Sequence, residues 1–102
     1  KLKGSPLVDQ TVPFGTLNFG LEQNHPNPAS GSTVIGYSIA TATKVRITVR
    51  DMCGRLVKVA EEADRMPGRY SVEIDLHGMS HGVYLYRMEA GAFTAIRKMV
   101  LE

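Results

Sequence analysis

Apolar and polar residues alternate with a period of two along most of the chain from Thr33 onwards. Ile35, Tyr37 and Ile39 share one face of a predicted strand, with Val34, Gly36 and Ser38 on the other. Val45, Ile47 and Val49 alternate with Arg46, Thr48 and Arg50, the cleanest half-buried strand in the chain. In Asp51-Met52-Cys53-Gly54 the Asp carboxylate can accept a backbone N–H and Gly can take positive φ, so a tight turn is predicted. A short strand follows from Leu56 to Val59, then a polar stretch from Glu61 to Arg65. Pro67-Gly68 suits the centre of a type II turn and leads into Tyr70, Val72 and Ile74, which alternate with Arg69, Ser71, Glu73 and Asp75. After the loop from Leu76 to Gly82, the run from Val83 to Met88 is apolar on both faces, as in a strand near the middle of a sheet. Ala90-Gly91 turns the chain, and Phe93 to Leu101 forms the last strand. Helical periodicity is convincing nowhere.

The first third is different. Lys1 to Gly15 carries two prolines and no sustained period, and reads as a linker arm, leaving 16–102 as the folded unit. Leu17, Phe19 and Leu21 alternate weakly and predict a first strand over Thr16–Gln23. In Asn24-His25-Pro26-Asn27-Pro28 the prolines fix φ and bias the residue before each towards extended geometry. A rigid loop is expected there, completed by Ala29 to Ser32, with Asn27 bonding local backbone. The sum is an all-β, immunoglobulin-like antiparallel β-sandwich of about seven strands. Its expected core is Ile35, Tyr37, Val45, Ile47, Val49, Tyr70, Val72, Ile74, Tyr84 and Tyr86.

Composition narrows the function classes. A hydrophobic fraction of 43% and a charged fraction of 22% are ordinary for a globular domain, and 102 residues make one domain. A net charge of +2 without Trp lacks the clustered cations and stacking aromatics of a nucleic-acid binder. Cys53 is the single cysteine, so no internal disulfide can form. No apolar run approaches the ~18–20 residues of a membrane-spanning helix. Without an initiator Met or signal peptide, the chain reads as a piece of a longer protein.

Candidate chemistry is sparse. His77 and His81 lie four apart but in a Gly-containing loop, with no third ligand beside them, so they read as solvent-facing and no metal is expected. Cys53 at a hairpin tip has Arg55 nearby but no base, and reads as a passive turn residue. The carboxylates are scattered singly and the glycines form no phosphate loop, so neither an acid/base pair nor a cofactor is expected. Arg46, Arg50 and Arg69 read as solvated strand faces or, less readily, as a basic stripe.

Four segments together resemble the type A C-terminal sorting domain that ends many proteins exported by type IX secretion in Bacteroidota. They are Leu21–Ile39, with its Gln-Asn-x-Pro-Asn-Pro core (Asn24, Pro26, Asn27, Pro28); Val45–Val57, running into Asp51, Gly54 and Arg55; Pro67–Gly91, with Gly68, Tyr70, Gly82 and Tyr84; and Phe93–Leu101, with Arg97, Lys98, Met99 and Val100. The chain departs from the family at Ala29, where an aromatic is common, and in having no basic residue a few positions past Lys98-Met99.

The resemblance implies a module recognised by an outer-membrane translocon, with Arg97, Lys98, Met99 and Val100 as the recognition signal. The upstream cargo would cross the periplasm and reach the cell surface or the extracellular space. There a sortase-like peptidase would cut the arm at Lys1 to Gly15. The module would be substrate and not enzyme, with no nucleic acid or small-molecule cofactor involved. Two other readings of the residues stand beside it: an immunoglobulin-like spacer, and a carbohydrate-binding or adhesion module of a large extracellular protein.

Overall fold

The computed structural model describes residues 17–102, so the arm at Lys1 to Gly15 lies outside the described residues. The elements are β1 (Gly20–Leu21), β2 (His25–Ser30), β3 (Ser32–Ile39), β4 (Thr43–Asp51), β5 (Leu56–Arg65), β6 (Gly68–Asp75), β7 (Gly82–Ala90) and β8 (Phe93–Leu101). Seven of them run six residues or more, and β1 is a two-residue bridge. In the first sheet β3 is central, with β6 along one side and β1 and β2 sharing the other. In the second the order is β8–β7–β4–β5, each pair antiparallel. At its far end β2 crosses over to pair in parallel with β8 at Ala29↔Leu101, closing one side of the sandwich. The immunoglobulin-like architecture expected from the alternation is the one observed.

Alternation works here because successive side chains of a strand point to opposite faces, so one register buries a whole set. Val45, Ile47 and Val49 stand opposite Ala90, Met88 and Tyr86 of β7, and all six are fully buried. Ile35, Tyr37, Ile39 and Ile74 bring the first sheet's contribution to the same cluster, and Tyr84, Met99 and Leu101 add to that of the second. Each fully buried Val, Ile or Met among them contributes about 1.5–3 kcal/mol on burial. Tyr70 and Val72 have the expected orientation but are only half-buried, because β6 is an edge strand with a neighbour on one side.

Several local expectations change. The first strand shrinks to Gly20–Leu21, with Leu17 and Phe19 half-buried beside it and Thr16 outside the described residues. The proline segment is not a loop but the strand β2. It pairs only through His25, Ala29 and Ser30, as a strand missing two N–H donors must. Gly68 has φ 157°, not the value near +80° of a type II turn, and opens β6 directly.

The polar stretch after Val59 is the continuation of β5. Polar groups of β5 find partners on the other sheet: Lys58 donates to the Asp75 carbonyl at 2.7 Å, and Glu61, in the stretch after Val59, accepts from the Tyr37 hydroxyl at 2.7 Å. Arg65 joins that pair, donating to Glu61 at 2.9 Å and to the Tyr37 oxygen at 3.1 Å, and lies over the Tyr70 ring. Arg69 sits on the other sheet from Arg46 and Arg50, so the three form no stripe.

Candidate recognition site at the β2–β8 seam

β8 pairs with β7 along its whole length, from Ala90↔Phe93 to Gly82↔Leu101. Its alternation turns Met99 and Leu101 into the core and leaves Thr94, Ile96 and Lys98 exposed on the outer face. Val100, on that same outer face, is half-buried opposite Val83. Arg97 occupies an inward parity opposite Tyr86, but at the strand's open side its guanidinium bends to donate to the Leu21 carbonyl. The adjacent cations Arg97 and Lys98 therefore serve different faces, the first tying β8 to β1 and the second meeting solvent.

The segment opposite, Gln23 to Pro28, is organised around a buried amide. Asn24 is 2% exposed, and its Nδ2 donates to the Pro26 carbonyl at 3.1 Å and to Thr33 Oγ1 at 3.0 Å. Its Oδ1 accepts from Gln23 Nε2 at 2.7 Å, and its backbone N–H donates to the Tyr86 hydroxyl oxygen at 2.7 Å. That hydroxyl donates onward to the Glu22 carbonyl at 2.6 Å. Burial pushes the Tyr86 phenol above its ordinary value, so it stays neutral and keeps its donor proton. An amide and a phenol can be buried here because each finds partners; left unpaired, each would cost about 1–3 kcal/mol.

From this plug two side chains reach β8. Gln23 Nε2 donates to the Lys98 carbonyl at 2.7 Å, and Asn27 Oδ1 accepts the Val100 N–H at 2.9 Å. Glu102 N–H then donates to the Ala29 carbonyl at 2.9 Å. Asn27 thus bonds the last strand and not its own loop, which corrects the local-backbone expectation. Prolines at 26 and 28 leave β2 without the N–H groups for a regular ladder, and side-chain amides stand in. The edge of β8 is closed from Lys98 onwards; its open part is confined to the residues before it.

The remaining motif positions do not converge on the seam. Asp51 Oδ1 accepts the N–H groups of Cys53 and Arg55 at 2.9 and 3.0 Å, and Arg55 Nε donates to Oδ2 at 2.8 Å. The backbone bond from Arg55, then its side chain, holds the Asp51 carboxyl below the usual range. Gly54, at φ 87°, closes the turn as the sequence suggested. Asp51 pairs with Tyr84, so this turn shares an end of the sheet with Gly82, whose partner is Leu101. The Tyr84 hydroxyl donates to the Ser80 carbonyl at 2.6 Å. Gly68 and Tyr70 lie at the other end, opposite Ile39 and Tyr37. Gln23, Thr33 and Tyr86 complete the seam; from sequence Gln23 was only the first letter of the motif, Tyr86 was expected as core, and Thr33 was not singled out. The one signal for Tyr86 was a phenol in a central, two-sided apolar strand, where its O–H must find a partner.

Among the described residues no three His, Cys, Asp or Glu side chains come together as metal ligands. His77 Nδ1 lies 2.6 Å from Asp75 Oδ1 on an exposed loop, and Cys53 is exposed in its turn.

A family model described as a secretion system C-terminal sorting domain matches residues 24–102. No curated protein matches the chain. Among solved structures, the crystal structure of dimeric latent PorU from Porphyromonas gingivalis is similar, with a TM-score of 0.62 and 19% identity. The match covers 95% of this chain and 10% of that one, so the chain spans about a tenth of that protein's length. At that identity the likeness concerns the fold alone.

Proposed function

This chain belongs to the family of secretion system C-terminal sorting domains, and from that premise we propose how it is read and what becomes of it. As a sorting signal for type IX secretion it directs export to the cell surface or the extracellular space. In our reading the cargo upstream passes through the periplasm, and an outer-membrane translocon recognises the folded module by the end of β8. Lys98 and Val100 on the outer face form the contact, Arg97 holds the strand to β1, and Met99 anchors it from the core. A surface sortase-like peptidase then cuts within residues 1–15 and joins the cargo to the cell surface. The module is substrate throughout and catalyses nothing. The observation that carries this reading is the seam: the Gln23–Pro28 motif and the last strand, 73 residues apart in sequence at Asn27 and Val100, hydrogen-bond each other directly.

Truncating β8 is a poor test, because it also removes Met99 and Leu101 from the core and uncovers β7. The better one fuses the module to a reporter in a host with the secretion machinery and compares Lys98→Glu with Lys98→Arg. Lys98 is exposed on the outer face, so both variants fold. Lys98→Glu should retain the reporter in the periplasm, and Lys98→Arg should restore most export. Equal export by both would remove Lys98 from recognition, and export of the reporter without any module would favour an immunoglobulin-like spacer.

A further inference from the structure

The outer face of the β8–β7–β4–β5 sheet carries more apolar surface than a solvated face needs. Leu56, Val59, Leu85 and Ile96 are 47%, 42%, 36% and 57% exposed. Strand pairing sets them in two adjacent rows: Lys98–Leu85–Arg50–Leu56, and Ile96–Arg87–Thr48–Val59. In the row beyond, Arg46 pairs with Glu62 at 3.8 Å, while Arg87 pairs with Glu89 at 3.2 Å. Lys98 and Arg50 are different. They flank Leu85 on both sides, and among the described residues neither has a carboxylate within ion-pair distance; Arg50 donates only to the Gly54 carbonyl. Two strand spacings set them about 10 Å apart.

We infer that this face docks, transiently, an acidic protein surface of the export machinery, with apolar side chains set between its carboxylates. The inference rests on the sorting role above and extends recognition from the end of β8 across the sheet. Charge complementarity chooses the partner: the two cations without local counter-charges flank Leu85 in the first row, while Arg87 in the second row and Arg46 beyond it are paired with Glu89 and Glu62. Size sets its lifetime. Four strands about 4.8 Å apart, read over four same-face positions about 6.8 Å apart, cover about 500 Å². That falls short of the ~800 Å² per partner of a stable complex and suits a partner that must let its cargo go. A second copy of this chain would need the larger area. An anionic membrane would need a cluster of about four to eight Lys or Arg, not two.

The test uses amide NMR on the module, titrated with a short synthetic peptide alternating glutamate and valine. Shifts should be confined to residues around Arg50, Leu56, Leu85 and Ile96, and should fade as salt is raised. Arg50→Glu with Leu56→Glu should weaken binding at least tenfold with an unchanged melting curve; Arg50→Gln is the milder variant if the pair unfolds. The same peptide with lysine for glutamate should not bind. No response, or a response centred elsewhere, overturns the inference. So does recruitment to phosphatidylglycerol vesicles in place of the peptide, or concentration-dependent dimers that the double variant abolishes. In the reporter host the double variant should cut export several-fold. Full export by it, with Lys98→Glu still retained, would overturn this face and leave the sorting role standing. Export that needs no module at all would overturn the sorting role itself.

Discussion

The side-chain oxygen of Asn27 accepts the backbone N–H of Val100 at 2.9 Å, filling on the edge of β8 the place a neighbouring strand would take. Asn27→Ala removes the acceptor and leaves the amide to water. The expected cost is about 0.5–1.5 kcal/mol, the net worth of one hydrogen bond. Hydrogen exchange should quicken at Val100 and not at Tyr86. Unchanged exchange at Val100 would mean the bond is not formed in solution.

Ile47 and Ile96 test the register of the second sheet. Ile47 is fully buried opposite Met88, whereas Ile96 stands 57% exposed. Ile47→Ala should cost about 2–5 kcal/mol in urea denaturation, and Ile96→Ala should stay within about 0.5 kcal/mol of the parent. Equal costs would place both on the same side of the sheet, against the pairing described.

Tyr86→Phe keeps the ring and deletes one hydroxyl, leaving the Glu22 carbonyl and the Asn24 N–H without that partner. Because Tyr86 and Asn24 are buried, the loss should be about 1–3 kcal/mol, more than Tyr70→Phe, whose hydroxyl bonds the Met66 carbonyl at an exposed site. Thermal unfolding of the two variants side by side decides it.

The Tyr37–Glu61–Arg65 clasp limits stability at both ends of the pH scale. Burial first, then the bond to Glu61, pushes the Tyr37 phenol up to about 12. A raised value means its contribution is whole below the ordinary phenol value of 10 and fades as pH climbs from 10 towards about 12. Burial pushes the Glu61 carboxyl up, but bonds from Arg65 and Tyr37 outweigh it and leave the value lowered. Its contribution is whole above the ordinary 4.5 and is lost as pH falls below that. Tyr37→Phe should flatten the alkaline limb of a stability–pH curve, and Glu61→Gln the acid one.

Cys53 is exposed in the turn between β4 and β5. Under oxidising storage it should link two chains, since an accessible thiol pairs readily. Cys53→Ser, or added reductant, should leave only monomer in sedimentation. A dimer persisting in the Ser variant would require an interface independent of the thiol.

What the sequence determined by itself was whatever a period of two can carry. It determined which face of β3, β4 and β7 is buried, where β8 runs, and the turn at Asp51–Gly54, because side-chain alternation and turn chemistry are local properties of the backbone. The motif segments also carried the family, since order and spacing survive without coordinates. The tertiary structure decided what depends on a partner far along the chain. Prolines at 26 and 28 argued for a loop, yet β2 is held as a strand at its ends by Val34 and Leu101. Glu61 and Arg65 read only as part of a polar stretch, yet they close the sandwich through Tyr37. Asn24 meets Tyr86 across 62 positions, and Asn27 meets Val100 across 73. A polar side chain states that it needs a hydrogen-bond partner; only the crossing of the strands determines which one it gets.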